Sequence, residues 1–185
     1  MLGDVSAASA FLLAAFLVLS AFFSGSEAAL LSVQRLRLQH LIDTRVAGAS
    51  RVARMIESPE RLLPPILLGN NLVNTGAAAL TTSLALTMIV DETQAVTAAT
   101  VAVTVMLLIF GETIPKTIAA RHAERVSIVV APPIQGLSWL LKPISYVLQS
   151  ISVGIAGLIG GGTRSEITDE EIKTMVEVGH REGTV

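Results

Sequence analysis

The chain has 185 residues, of which 51% are hydrophobic and 15% charged, with a formal net charge of −2 and a mean hydropathy of +0.65. A soluble domain carries roughly a quarter charged residues, so this composition excludes an ordinary water-soluble domain and points to a membrane protein. The absence of cysteine excludes disulfides and thiolate metal sites, and no nucleic-acid partner is expected.

Taken from the N-terminus, the stretch Met1–Asp4 lacks the basic n-region of a secretory signal, so the apolar run behind it is expected to persist as a span. A helix needs about 20 mostly apolar residues to cross the hydrocarbon core, and the segments 6–31, 64–90 and 95–118 meet that need. The link 34–61 carries Arg35, Arg37, Arg45, Arg51, Arg54 and Arg61, whereas the link between the second and third spans offers Asp91 and Glu92. The positive-inside rule therefore predicts a cytoplasmic Arg-rich link and an external N-terminus. Lys116, Arg121 and Arg125 at the end of the third span agree with that orientation. Residues 1–125 thus read as a three-span transmembrane domain.

The stretch 126–163 is apolar, but Pro132–Pro133 and Lys142–Pro143 are expected to cut it into short pieces. In the last piece Ile144, Val147, Leu148, Ile151, Ile155, Leu158 and Ile159 recur at helical spacing opposite Ser145, Tyr146, Gln149, Ser150 and Ser152. That stripe predicts two short juxtamembrane helices forming a belt at the inner surface, with a fourth span over 143–160 as the alternative. After Gly160–Gly162 the character turns soluble, and Thr168–Glu171 reads as a capping box. Residues 164–185 are expected to lead into a cytoplasmic domain. The predicted fold class is an all-α membrane protein: three transmembrane helices with broken or kinked segments, plus juxtamembrane amphipathic helices.

Each predicted span carries a polar interruption. In the first, Ser20 and Ser24 lie four apart and share a helix face, with Gly25, Ser26 and Glu27 behind them. Serines also serve simply to let helices pack closely. Gly25 shifts that balance, because glycine is expected to open the helix here and leave a carbonyl facing a cavity. In the second span Asn70 and Asn74 repeat the four-residue spacing beside Gly69 and Asn71. As interhelical glue such contacts contribute only about 0.6 kcal/mol each, whereas each amide oxygen, and the Gly69 carbonyl, is a neutral metal ligand.

The third interruption holds Gly111, Glu112, Pro115 and Lys116. A charge at the membrane centre costs roughly 2.5–3.5 kcal/mol on insertion scales, so Glu112 needs a cation or a partner. Lys116 is one turn away and offers an ordinary ion pair. Pro115 bends the helix between them, and Lys116 is expected to snorkel to the surface, which favours Glu112 as a ligand. Glu27 lies nearer its helix end and is expected to face water or an arginine. One carboxylate among neutral oxygens suits Mg2+, Na+ or Ca2+; His40, His122 and His180 lie outside the spans.

Three motifs in order, Ser20-x-x-x-Ser24–Gly25 with Glu27, then Leu68–Gly69–Asn70–Asn71–Leu72–Val73–Asn74–Thr75, then Phe110–Gly111–Glu112 with Pro115–Lys116, resemble the transmembrane domain of the bacterial CorC and eukaryotic CNNM magnesium transporters. The resemblance covers essentially the whole chain. It implies a homodimer in the inner membrane with a juxtamembrane belt, Mg2+ export coupled to Na+ entry, and nucleotide-binding CBS modules beyond this stretch. By motif position it implies Ser20, Ser24, Gly69, Asn70 and Glu112 as Mg2+ ligands, with Asn74 and Gly25 next. A non-transporting Mg2+ sensor or membrane scaffold would use the same ligands and is the alternative. An enzyme is not expected: an intramembrane serine hydrolase built on Ser26 would need a histidine at membrane depth.

Overall fold

The computed structural model describes residues 2–144, 146, 147, 150, 151 and 154. In chain order it forms α1 (Leu2–Ser32), α2 (Arg35–Asp43), α3 (Ala49–Ile56), α4 (Pro59–Met88), α5 (Glu92–Met106), a π-helical segment (Leu107–Thr113), α6 (Ile114–Arg121) and α7 (Ala123–Leu140). There is no strand among the described residues, and the all-α membrane fold expected from the sequence is the one observed. The third long helix is a single rod, Glu92–Arg121, with the π segment inside it.

Two stretches, Ala7–Ser32 and Glu92–Arg121, are long and apolar enough to cross a membrane. With 30 residues, α4 is as long as the third rod and reaches about 45 Å at about 1.5 Å per residue. Its three asparagines, Asn70, Asn71 and Asn74, dilute its apolar character.

Two close approaches set the packing of α1 on α4. A Cβ on Gly76 would come within 2.9 Å of the Phe16 ring, and one on Gly69 within 2.5 Å of the Phe23 ring. Numbers rise along α1 as they fall along α4, so the two helices are antiparallel. The seven-residue spacing on each is about two turns, which returns the same face to the seam. Ser20 lies between the two phenylalanines, opposite Asn70 and Asn74. Against the third rod α1 runs parallel, since Ser20 meets Gly111 and Gly25 faces Pro115 and Ala119. The outer surface is apolar, with Phe11, Val18, Leu72, Val101, Phe110 and Ile118 exposed; such a belt is costly in water and ordinary in lipid.

Several expectations are corrected. Helix α1 runs without a break through Gly25, so the helix opening expected there is found instead in the third rod. Pro132 and Pro133 lie inside one helix, Ala123–Leu140, and do not divide it. Both prolines are exposed, while Ala123, Ser127, Val130, Ala131 and Ile134 form a buried face; packing of that face carries the helix past two missing donors. The Arg-rich link, for which no elements were predicted, holds α2 and α3, whose Leu38, Ala49 and Val52 are buried in the core. The end of α2 is a Schellman turn, with Val46 N–H on the Leu41 carbonyl, Arg45 N–H on the Ile42 carbonyl and Arg45 at φ 58°. Gly48 at φ 93° opens α3, a conformation that L side chains rarely adopt.

Beyond α7 comes a turn at Leu141, and the described residues 142–144, 146, 147, 150, 151 and 154 are helical. The capped helix expected from Thr168 lies outside the described residues.

Candidate cation site

The site begins with a proline. An α-helical Pro115 would owe an N–H to the Gly111 carbonyl four residues back, but proline has none and its ring crowds that carbonyl. The backbone relieves this by widening into a π segment, in which Ile114 N–H bonds the carbonyl of Ile109 five residues back. Segments of this kind occur mostly as single-turn bulges, frequently at functional sites. The consequence is a Gly111 carbonyl turned toward α1, 3.5 Å from Ser20 Oγ. Glycine is required there, because a Cβ would stand 2.6 Å from that same oxygen.

Ser20 is fully buried and has three carbonyl-type oxygens around its hydroxyl. Asn74 Oδ1 is at 2.7 Å, Asn70 Oδ1 at 3.4 Å and the Gly111 carbonyl at 3.5 Å. A serine hydroxyl holds one proton and serves one acceptor well, here Asn74 by distance. The other two oxygens converge on the same hydroxyl at longer range. Asn74 spends its amide nitrogen on the carboxylate, with Nδ2 donating to Glu112 Oε1 at 3.2 Å. This joins the interruptions of all three long helices: α1 through Ser20, α4 through Asn70 and Asn74, and the π segment through Gly111 and Glu112.

Ser24 sits one turn beyond Ser20 and is fully buried, yet its Oγ has no hydrogen-bond partner among the described residues. Buried hydroxyls are rarely left in that state. A helical serine normally has the carbonyl one turn back available, and its neighbour Ser26 uses that route, donating to the Phe22 carbonyl at 2.6 Å. The Ser24 hydroxyl is thus an orphan on the face that carries Ser20. Oxygen ligands, one carboxylate and an unpaired hydroxyl are the donor set a hard cation takes, whereas imidazole or thiolate metals would find no ligand here. No group of three or more His, Asp or Glu converges among the described residues, so neutral oxygens carry most of the coordination capacity.

The remaining candidates fall elsewhere. What the structure shows for Gly69 is the seam with Phe23, within an unbroken α4. Gly25 is a buried packing position, with Ala119 Cβ and the Pro115 carbonyl at ordinary contact distance from where its Cβ would be. Lys116 bonds Glu27, not Glu112, with Nζ 3.1 Å from Oε2. Lys116, expected to snorkel to the surface, and Glu27, expected to face water or an arginine, are thus each other's partner. The Gly111 carbonyl was missing from the predicted ligand set; its signal in the sequence is Pro115 four residues on.

The sequence profile of the cyclin M transmembrane N-terminal domain matches residues 11–185. A UPF0053 protein of Haemophilus influenzae is 35% identical over 163 residues, covering 86% of this chain and 38% of the relative. The UPF0053 inner membrane protein YfjD of Escherichia coli is 34% identical over 162 residues, covering 85% and 37%. A chloroplastic DUF21 domain-containing protein of Arabidopsis thaliana is 35% identical over 177 residues, covering 94% and 26%. The chain spans about a quarter to two fifths of the length of these relatives. The profile match over nearly its full length, together with the ordered motifs and the helical membrane fold, shows that the chain belongs to the CorC/CNNM family, as its transmembrane domain.

Proposed function

We propose that this chain is the ion-translocating domain of a Mg2+ transporter, which binds Mg2+ among Ser20, Ser24, Asn70, Asn74, Gly111 and Glu112 and exports it against Na+ entry. The observation that carries the reading is the convergence of three carbonyl-type oxygens on one Ser20 hydroxyl, beside the orphaned Ser24 hydroxyl and the Glu112 carboxylate. An arriving divalent ion takes these oxygens as ligands, and the Ser20 proton turns away from Asn74. Glu112 supplies the one formal charge, which offsets part of the ion's dehydration; Mg2+ in compact octahedral geometry keeps the waters the site does not replace.

In this reading the chain works as a homodimer in the inner membrane, its N-terminus outside and its C-terminus cytoplasmic, under the control of CBS modules. Proteoliposomes loaded with a Mg2+ dye test it: the parent moves Mg2+ under a Na+ gradient, and Glu112→Ala falls to the level of empty liposomes. Saturable Mg2+ binding with no flux under any Na+ gradient overturns transport and leaves a Mg2+ sensor.

A further inference from the structure

Away from the cation cluster, the end of α3, the start of α4 and the later turns of α7 enclose a cleft of about 170 Å³. That is five to six water volumes at about 30 Å³ each. Arg54 closes α3 and Arg61 stands in the first turn of α4, and both line the cleft. Neither guanidinium has a carboxylate within ion-pair distance among the described residues; the ion pairs seen there are Lys116 with Glu27 and Arg37 with Glu124. Ser58 holds the N-cap position of α4, but its side chain makes no capping bond, so its hydroxyl is free to donate into the cleft. Gln135 adds an exposed amide. Ser138 is already committed as a donor to the Ile134 carbonyl at 2.9 Å. The inventory is therefore one of donors and positive charge, at the positive end of a 30-residue helix.

Apolar side chains share the cleft and follow it along α7. Met55 and Leu62 line the cleft, and the next residues of α7 after Ser138 are Trp139 and Leu140, exposed by 72% and 65%. Exposed tryptophan beside basic side chains is the pattern of a membrane–water interface, where an anionic head meets arginine and its chains continue along apolar surface. A free phosphate would use the arginines but not that apolar surface.

We propose that this cleft binds the phosphate of an anionic phospholipid, gripped by Arg54 and Arg61 with Ser58 and Gln135, its acyl chains lying along Trp139 and Leu140. The site is independent of the cation cluster and of whether the chain transports Mg2+. It anchors the start of α4, the helix that carries Asn70 and Asn74.

The chain has one tryptophan, Trp139, which follows the cleft-lining Ser138 on α7, so its fluorescence reports on that part of α7. Detergent-solubilised protein is titrated with short-chain phosphatidylglycerol, with phosphatidylcholine of the same chain length, and with inorganic phosphate. The expected result is a saturable change with phosphatidylglycerol, at least about tenfold weaker in Arg54→Gln/Arg61→Gln, weakened by salt, and absent with phosphatidylcholine. Equal titration by both lipids in the parent overturns the proposal without reference to any variant. An unchanged double variant overturns it too, and saturation by inorganic phosphate alone overturns the lipid source.

Discussion

Between Glu92 and Met106 the third rod is a regular α-helix that buries one line of small side chains, Ala95, Ala99 and Val103. Between Leu107 and Thr113 it takes π geometry and brings Gly111 and Glu112 to Ser20 and Asn74. The first half satisfies its backbone internally and needs only a close neighbour; the second gives up one backbone bond and gains a carbonyl that can act as a ligand. The difference traces to Pro115 and to the lack of a side chain at Gly111. The candidate ligands of the third rod thus lie where helix regularity fails, on a frame whose other half is regular.

The largest expected effect is on the charged group of the irregular half. Glu112→Ala removes the carboxylate bonded into the cluster, and Mg2+ affinity should fall by at least about 100-fold, the upper end of what supporting residues around metals produce; calorimetric titration measures it. Pro115→Ala tests the origin of the contrast by making the halves alike. The restored N–H can return to the Gly111 carbonyl and close the π segment, so Mg2+ affinity should drop by about tenfold, the loss typical of one supporting group, while thermal stability stays level or rises. Unchanged affinity, with the Ile114-to-Ile109 bond retained in a structure of the variant, would show that proline does not set the geometry.

The glycines sharpen the comparison on the side of packing. Gly69→Ala and Gly111→Ala place a Cβ 2.5 Å from the Phe23 ring and 2.6 Å from Ser20 Oγ, and overpacking of that kind costs about 1–3 kcal/mol. Gly25→Ala meets Ala119 Cβ at 3.6 Å, an ordinary contact, and should leave the thermal midpoint nearly unchanged. Equal destabilisation by all three would mean that α1 is not seated as described. Smallest is Glu27→Gln, which breaks the ion pair with Lys116. Their side chains are 21% and 42% exposed, and a pair so placed contributes at most about 1 kcal/mol, read as a small shift in thermal unfolding without loss of Mg2+ binding.

Much of this was legible in the sequence because lipid makes polar residues conspicuous. Apolar length and arginine placement marked the long helices, and the four-residue spacings of Ser20 with Ser24 and Asn70 with Asn74 marked the faces that meet. What escaped depends on tertiary packing. Proline reads as a helix breaker, yet Pro132 and Pro133 sit in an intact α7 because its opposite face is buried. Glycine reads as a helix opener at Gly25, yet that residue packs at ordinary contact distance inside an unbroken α1, and Gly69 is a place of close helix approach inside an unbroken α4. The π segment needs Pro115 and the α1 surface together, and only the second of these is missing from a local reading. The helices of the Arg-rich link were hidden because Leu38, Ala49 and Val52 are few among charges, although they reach the core.

Whether these oxygens form a Mg2+ site is tested most directly by calorimetric Mg2+ titration of the purified protein, with Na+ and Ca2+ as competitors and Asn70→Ala and Glu112→Ala alongside the parent. Saturable binding by the parent, weakened in Asn70→Ala and lost in Glu112→Ala, is the predicted result. Variants that bind Mg2+ as the parent does would contradict it.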